Sequence, residues 1–280
     1  MTVKELFAQG KTILQKNSID NYINEARWIF ESVFKCSGNY LFICSDDAVN
    51  NDDASCFIEK INIRASGIPV QYVIGEWDFY GETFSVGDGV LIPRPETELL
   101  VDFAIDFLKS KQDPVVFDLC SGSGCIGLTV AKYFPDAKVF LIEKSDDAMK
   151  YLLKNKERLS VSNAEIIQGD IFNGFDFYNL PQPDLILSNP PYINSEDIAL
   201  LQSEVLKEPV MALDGGIDGL DFYKAINDKW LVDSCSAIAV ECGEGQSDEI
   251  KKLFSLKCSD VFSVTDFNGI ERVVIGRKDL

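Results

Sequence analysis

The stretch Val115-Val116-Phe117-Asp118-Leu119-Cys120-Ser121-Gly122-Ser123-Gly124-Cys125-Ile126-Gly127 decides how this sequence folds. Its first five residues are mostly apolar and β-branched or aromatic, as a buried strand requires. Cys120 to Gly124 read as a loop, and the apolar residues after it as the opening of a helix. A strand that turns through glycines into a helix offers unpaired N–H groups and close backbone approach to a ligand. Gly122, Gly124 and Gly127 match G-x-G-x-x-G, and Glu143 ends the next strand where a ribose-binding carboxylate belongs. This much fits a dinucleotide as well as another nucleoside. Asp118 would confront a pyrophosphate but suits the ammonium or sulfonium of S-adenosylmethionine, so the loop favours the methyl donor. Farther on, Gly169-Asp170-Ile171 follows the third strand, where a carboxylate accepts from an adenine amino group. On position alone, Asp118 and Asp170 read equally well as turn or cap residues.

Outward from this loop, strand-like and helix-like segments alternate. They are Val115 to Leu119, Gly124 to Tyr133, Lys138 to Glu143, Asp146 to Leu159, Glu165 to Gln168 and Asp184 to Ser188. Alternation of this kind predicts an α/β domain with a parallel sheet covered on both faces. A helix near Leu220 to Val232, the strand Ser236 to Glu241 and a helix from Ser247 continue it. Asn268-Gly269 between Val261–Phe267 and Glu271–Ile275 predicts a closing hairpin whose last strand runs antiparallel. Toward the N-terminus, apolar residues from Val3 to about Ser66 recur at helical spacing, with Ser18 as a cap and Gly38 as a stop, giving three to five helices. Trp77 to Leu91 mixes aromatic and β-branched residues with Gly-Asp-Gly turn material and reads as a hairpin linker.

Composition bounds the chemistry. The 280 residues exceed one ordinary domain, and 46% hydrophobic with 25% charged residues is a globular balance. No apolar run spans a membrane and the N-terminus is not signal-like, so a soluble, cytoplasmic protein without membrane contact is expected. The 8 cysteines form no C-x-x-C pair and read as reduced core thiols. A net charge of −19 argues against affinity gained by neutralising phosphates, so direct nucleic-acid binding is not expected. Histidine is absent, which removes imidazole bases, Ser-His-Asp triads and histidine metal ligands; no metal is expected.

The most specific chemistry lies in Ser188-Asn189-Pro190-Pro191-Tyr192, directly after the fourth strand. In open parallel sheets this loop faces the same crevice as the glycine loop. An amide or aniline-like nitrogen is a poor nucleophile because its lone pair is delocalised, so it must be held with that lone pair aimed at the donor methyl. The Asn189 side-chain oxygen and the main-chain carbonyl at Pro190 can accept its two N–H bonds, the proline rings restrict the backbone, and Tyr192 can pack on the flat face. Both acceptors meet positive charge as it develops, the differential binding that catalysis requires. A rigid turn after a strand is the plainer reading of the same residues.

With these residues in place, the chain resembles the HemK/PrmC family of protein-glutamine N5-methyltransferases over nearly its full length. The matching blocks are Gly67-Ile68-Pro69-Val70-Gln71-Tyr72-Val73-Ile74-Gly75, Leu91-Ile92-Pro93-Arg94-Pro95-Glu96-Thr97-Glu98, the glycine loop and Asn189-Pro190-Pro191-Tyr192-Ile193. Glu208-Pro209 with Ala212-Leu213, and Asp266 with Gly269 and Glu271-Arg272-Val273-Val274, complete them. The Ile-Pro-Arg-Pro-Glu-Thr-Glu block is the most specific of these. The resemblance implies a Rossmann-like, class I S-adenosylmethionine-dependent methyltransferase domain with a mostly parallel seven-stranded sheet over 96–280, a helical docking domain over 1–75 and a hairpin linker over 76–95. It implies S-adenosylmethionine as cofactor, S-adenosylhomocysteine as product, and class I release factors, methylated at the glutamine of Gly-Gly-Gln, as partners.

The residues carried over for the cofactor are Cys120, Ser121, Gly122, Ser123, Gly124, Glu143, Asp170, Ile171 and Asn189, to which the reading of the loop adds Asp118. Asn189, Pro190 and Tyr192 are carried over as catalytic, and these with Pro191, Arg94 and Glu96 as substrate-binding, although Arg94 and Glu96 read equally as linker anchors. Cys120 stands where the family usually has glycine and Glu143 where aspartate is commoner. A ribosomal-protein glutamine methyltransferase, an exocyclic-amine nucleic-acid methyltransferase and a non-catalytic scaffold remain as alternatives.

Overall fold

A computed structural model describes residues 1–278 and divides the chain into two compact units, Met1–Glu76 with Gln202–Lys207, and Trp77–Leu201 with Glu208–Leu280. The first is helical: α1 Val3–Lys16, α2 Tyr22–Phe34, the short α3 Tyr40–Ile43, α4 Asn51–Ala65 and the short α5 Val70–Ile74. Thr2 and Glu5 close a capping box on α1, and Asn50 caps α4 by accepting from Asp52 and Asp53 N–H. Leu6, Leu14, Ile29, Phe30, Phe57 and Ile61 form its core. A Cβ on Gly10 would lie 2.6 Å from Phe57 Cζ, so a glycine sets the approach of α1 to α4. Buried Arg64 pairs with Glu25 and with Glu204, which ties Gln202–Lys207 into this unit. Ser18 is not a helix cap: with φ +60° it sits in the turn after α1, and Asn21 stands at the N-terminus of α2.

A two-stranded hairpin, β1 Glu76–Phe79 and β2 Glu82–Ser85, turning at Tyr80 and Gly81, lies almost wholly in the second unit and begins one residue before it. The hairpin is shorter than expected because Gly87 and Gly89 belong to a strap that follows it. A Cβ at Gly87 would sit 2.2 Å from the Tyr151 hydroxyl and one at Gly89 2.5 Å from Asp147 Cβ, so these glycines serve close passage over the helix that carries both residues. After α6 Glu98–Leu108 come β3 Val115–Leu119, α7 Cys125–Tyr133, β4 Lys138–Glu143, α8 Asp146–Leu159, β5 Ala164–Gln168, α9 Phe175–Tyr178 and β6 Leu185–Ser188. Then follow α10 Asp221–Lys229, β7 Ala237–Glu241, α11 Ser247–Phe254, β8 Asp260–Thr265 and β9 Glu271–Arg277.

The seven strands are ordered β5-β4-β3-β6-β7-β9-β8. β9 runs antiparallel between β7 and β8, and the pairs β5-β4, β4-β3, β3-β6 and β6-β7 are parallel. The turn before β9 is longer than the Asn-Gly pair predicts: β8 stops at Thr265, and Asp266 Oδ1 accepts from both Asn268 and Ile270 N–H. Strand parity divides the core. Val116, Leu141, Leu187 and Ala239 face the side covered by α6 and α7, whereas Phe117, Ile142, Ile186 and Val240 face Tyr223, Trp230, Ile250 and Phe254 of α10 and α11 and the chain after them.

Candidate active site

β3 and β6 pair with Leu119 opposite Ser188, and Ser188 Oγ donates to the Leu119 carbonyl at 2.6 Å. The chain therefore leaves at Cys120 and at Asn189 from one fixed edge, where the strand order reverses and open α/β sheets hold ligands. A cavity opens there. Its walls are Cys120 to Ser123, Glu143 to Ser145, Gly169 to Phe172, Asn189, Pro191, Phe222, and the strap Gly89 to Pro93 with Thr97.

The glycine loop owes its shape to three positive φ angles, +61° at Cys120, +55° at Gly122 and +82° at Gly124. At Gly124 a Cβ would also strike Leu152 Cδ1 at 2.3 Å, and at Gly127 it would meet Asp118 Oδ2 and Leu141 Cδ2 at 2.8 Å each. Fully buried Asn155 clamps the loop from α8: its amide donates to the Ser123 and Ser85 carbonyls, and its oxygen accepts from Ser85 N–H. Glu143 is 8% exposed and accepts from Gly122 N–H on one oxygen and Ser145 N–H on the other, each at 2.7 Å. Burial raises its pKa, and the backbone N–H groups offset only part of that. Each carboxylate oxygen keeps a lone pair for a ribose diol.

Asp170 accepts from Phe172 N–H at 2.9 Å and pairs with Lys144 at 2.8 Å. Partial burial would raise its pKa, but the Lys144 ammonium and the Phe172 N–H outweigh it, so the group sits below the ordinary value. Beside it, Phe172 and Phe222 meet edge to face with centroids 5.1 Å apart and, with Ile171, give an apolar slot for a planar base. Diol acceptor, base slot and close backbone approach together fit S-adenosylmethionine. Asp118 does not face the cavity: the residue is 0% exposed, lies outside the cavity wall and accepts from Gly127 N–H with Oδ2, while Oδ1 has no partner among the described residues. It anchors α7 from beneath the loop, and burial pushes its pKa up to about 7. Gly124 likewise shapes the loop from outside the wall.

Asn189 lies on the wall, its amide nitrogen donating to Thr97 Oγ1 at 3.2 Å, and Thr97 in turn donates to Glu241, which is 3% exposed. Pro191 lines the cavity, whereas Pro190 and Tyr192 do not. Tyr192 packs with the α10 and α11 side of the core, and its carbonyl is held by Gln246 Nε2 at 2.8 Å, which sets its ring off the wall of this cavity. Arg94 and Glu96 are also off the wall. Arg94 pairs with buried Glu208, which also accepts from Ile92 N–H at 3.0 Å, so the pair fixes the strap from behind. Sequence reasoning missed Asn155, Thr97, Glu241 and the Phe172–Phe222 slot. Glu208 stood in a matching block, but its partner Arg94 lies 114 positions away in sequence.

The comparisons with known proteins fall on this arrangement. The model described as the PrmC N-terminal domain matches residues 5–75, and the methyltransferase small domain matches residues 97–216. A release factor glutamine methyltransferase of Thermodesulfovibrio yellowstonii is 37% identical over 94% of this chain and 95% of its own. Relatives of the same name from Geobacter sulfurreducens, 33% identical over 99% and 96%, and Clostridium acetobutylicum, 30% identical over 98% of each, agree. Among solved structures, the hMettl16 catalytic domain in complex with a MAT2A 3'UTR hairpin aligns with TM-score 0.57 at 13% identity over 81% of both chains. The human methyltransferase 10 domain containing protein aligns with TM-score 0.51 at 16% identity over 79% of this chain and 97% of its own; both likenesses concern the fold alone. With near-full-length identity of this order to relatives that share one name, the chain belongs to the release factor glutamine methyltransferase family.

Proposed function

We propose that this chain transfers the methyl group of S-adenosylmethionine to the side-chain amide nitrogen of the glutamine in the Gly-Gly-Gln motif of class I release factors. The reading is carried by one observation: Asn189, its NH₂ engaged by Thr97, shares a single cavity with Glu143 and Asp170. When bound, S-adenosylmethionine would supply an electrophilic methyl group on a sulfonium and be left as S-adenosylhomocysteine, while the methylated nitrogen gives up one N–H proton to water. The chain's own residues do the rest. Glu143 and the Phe172–Phe222 slot would hold the nucleoside, and the Asn189 oxygen, opposite the NH₂ that Thr97 engages, accepts one N–H of the substrate amide. The Pro190 carbonyl is assigned the other N–H, so the lone pair stays aimed across the cavity.

A carboxamide is a small recognition element, so selection among proteins falls to a larger surface, which we assign to the helical unit of residues 1–75, with 76–95 joining it to the catalytic residues 96–280. No helix among the described residues is long and apolar enough to cross a membrane. With the net charge of −19, we infer a cytoplasmic enzyme acting on protein and not on nucleic acid. The test is transfer of tritiated methyl from S-adenosylmethionine to purified release factor, with the methylated residue located by mass spectrometry. Label at the Gly-Gly-Gln glutamine, lost when that glutamine is replaced by alanine, is the expected result. Label on a ribosomal protein or on nucleic acid, with release factor untouched, would overturn the reading.

A further inference from the structure

Thr97 has one hydroxyl proton, and it is committed to the Glu241 carboxylate. What Thr97 presents to Asn189 is therefore a lone pair, and the Asn189 amide nitrogen occupies it at 3.2 Å. Turning the Asn189 amide over would set oxygen against oxygen with no proton between them. We propose that the buried chain Glu241–Thr97–Asn189 is a positioning relay that fixes the polarity of Asn189, so that its oxygen and never its NH₂ faces the substrate nitrogen. This inference rests on the functional reading above, since only a substrate that donates N–H needs an acceptor there.

The relay is built for the purpose and not for packing alone. Thr97 is 1% exposed and Glu241 3% exposed, and they come from elements 144 positions apart in sequence. The carboxylate state of Glu241 sets the direction of both hydrogen bonds. A protonated Glu241 can donate to Thr97 Oγ1, the Thr97 proton then turns to Asn189, and the amide flips so that a donor faces the substrate. Burial pushes the Glu241 pKa up to about 7, with the Thr97 hydrogen bond lowering it, Glu96 raising it, and Arg272 and Arg94 lowering it. Tyr192, Tyr223, Cys242 and Cys125 also interact with it, each with its own pKa raised and so neutral in this range. Activity is therefore gained as Glu241 ionises and lost as it takes up a proton.

The experiment measures kcat and KM for intact release factor from about pH 5.5 to 8.5, with S-adenosylmethionine affinity followed by titration calorimetry. The full-length chain should show an acidic limb in kcat. Glu241→Gln, which can present either oxygen or nitrogen to Thr97, should lower kcat roughly tenfold or more and flatten that limb, with KM and cofactor affinity little changed. Thr97→Val should lose kcat similarly, and Thr97→Ser should restore it. An E241Q enzyme that keeps wild-type kcat and the same acidic limb overturns the relay, as does a Thr97→Ser enzyme no better than Thr97→Val. If the unaltered chain methylates no release factor at all, the functional reading fails instead, so the two failures are distinguishable.

Discussion

Asn189 and Cys120 leave adjacent strands at the same edge, and each makes a separate demand on the chemistry. Asn189 supplies an acceptor whose interaction strengthens as the substrate nitrogen becomes positive. Asn189→Ala should cut turnover by about a hundredfold or more, read by steady-state methyl transfer, and near-normal turnover would refute the role. Cys120 is a non-glycine residue at φ +61°, a conformation that costs an L side chain about 1 kcal/mol or more. Glycine would remove that strain but adds unfolded-chain entropy of about 0.5 to 1 kcal/mol and deletes a half-buried thiol. Cys120→Gly should therefore leave stability within about 1 kcal/mol of the parent in chemical denaturation, whereas Cys120→Val, β-branched, should destabilise by more. A large loss in Cys120→Gly would mean that the thiol carries packing the backbone argument does not count.

At the scale of elements, the strand β3, its loop and α7 are locked together by absence of a side chain at Gly127. Alanine normally stabilises a helix interior over glycine by about 1 kcal/mol. Here its Cβ would lie 2.8 Å from Asp118 Oδ2 and from Leu141 Cδ2, both in the packed core. Gly127→Ala should instead destabilise by about 1 to 3 kcal/mol in urea unfolding; a more stable variant would show that α7 does not need this approach. These elements were legible in the sequence because their signals are local: near-continuous apolar runs in β3 and β6, buried on both faces, glycines after a strand, and an Asn-Pro-Pro-Tyr turn after another. Asp118 is harder to place from sequence, because its parity in β3, and not its rank before the loop, decides where the carboxylate points. It shares a face with Val116, and hence points beneath α7, whereas Phe117 and Leu119 point the other way. Asn155, Thr97, Glu241 and Glu208 were not legible as site-builders, since each acts through a partner tens to more than a hundred positions distant, and a buried polar residue looks in sequence like any exposed one. The return of Gln202–Lys207 to the helical unit has the same origin: it depends on Arg64, 140 positions from Glu204.

Across the whole molecule, carboxyl groups outnumber cations and no histidine titrates, so the response to pH near neutrality rests on a few buried acids. Asp118 and Glu241 have pKa values raised to about 7, in both cases first by burial. A carboxyl raised on folding binds its proton more tightly in the native state. Between the unfolded value near 4 and the folded value near 7 the native state thus holds more protons, and stability falls as pH rises through this window. Glu271 works in the opposite sense. Hydrogen bonds from Ser247, Ser263 and Lys251 lower it to about 2, so its contribution is present above its ordinary value and disappears only as pH falls well below 4. The melting temperature should accordingly be higher at about pH 5.5 than at pH 8, by roughly 5 to 10 °C if the two buried acids each contribute about 2 kcal/mol. Repulsion within a chain of net charge −19 changes in the same direction, but it is a surface effect that about 1 M salt screens. Calorimetry at high salt isolates the buried groups, and Asp118→Asn should flatten about half of the remaining slope. A melting temperature that rises from pH 5.5 to 8 at high salt would show that these two carboxyls are not held above their ordinary range. Because the same ionisation of Glu241 that weakens the fold sets the polarity of Asn189, the pH range of greatest stability should lie below the pH range of greatest activity.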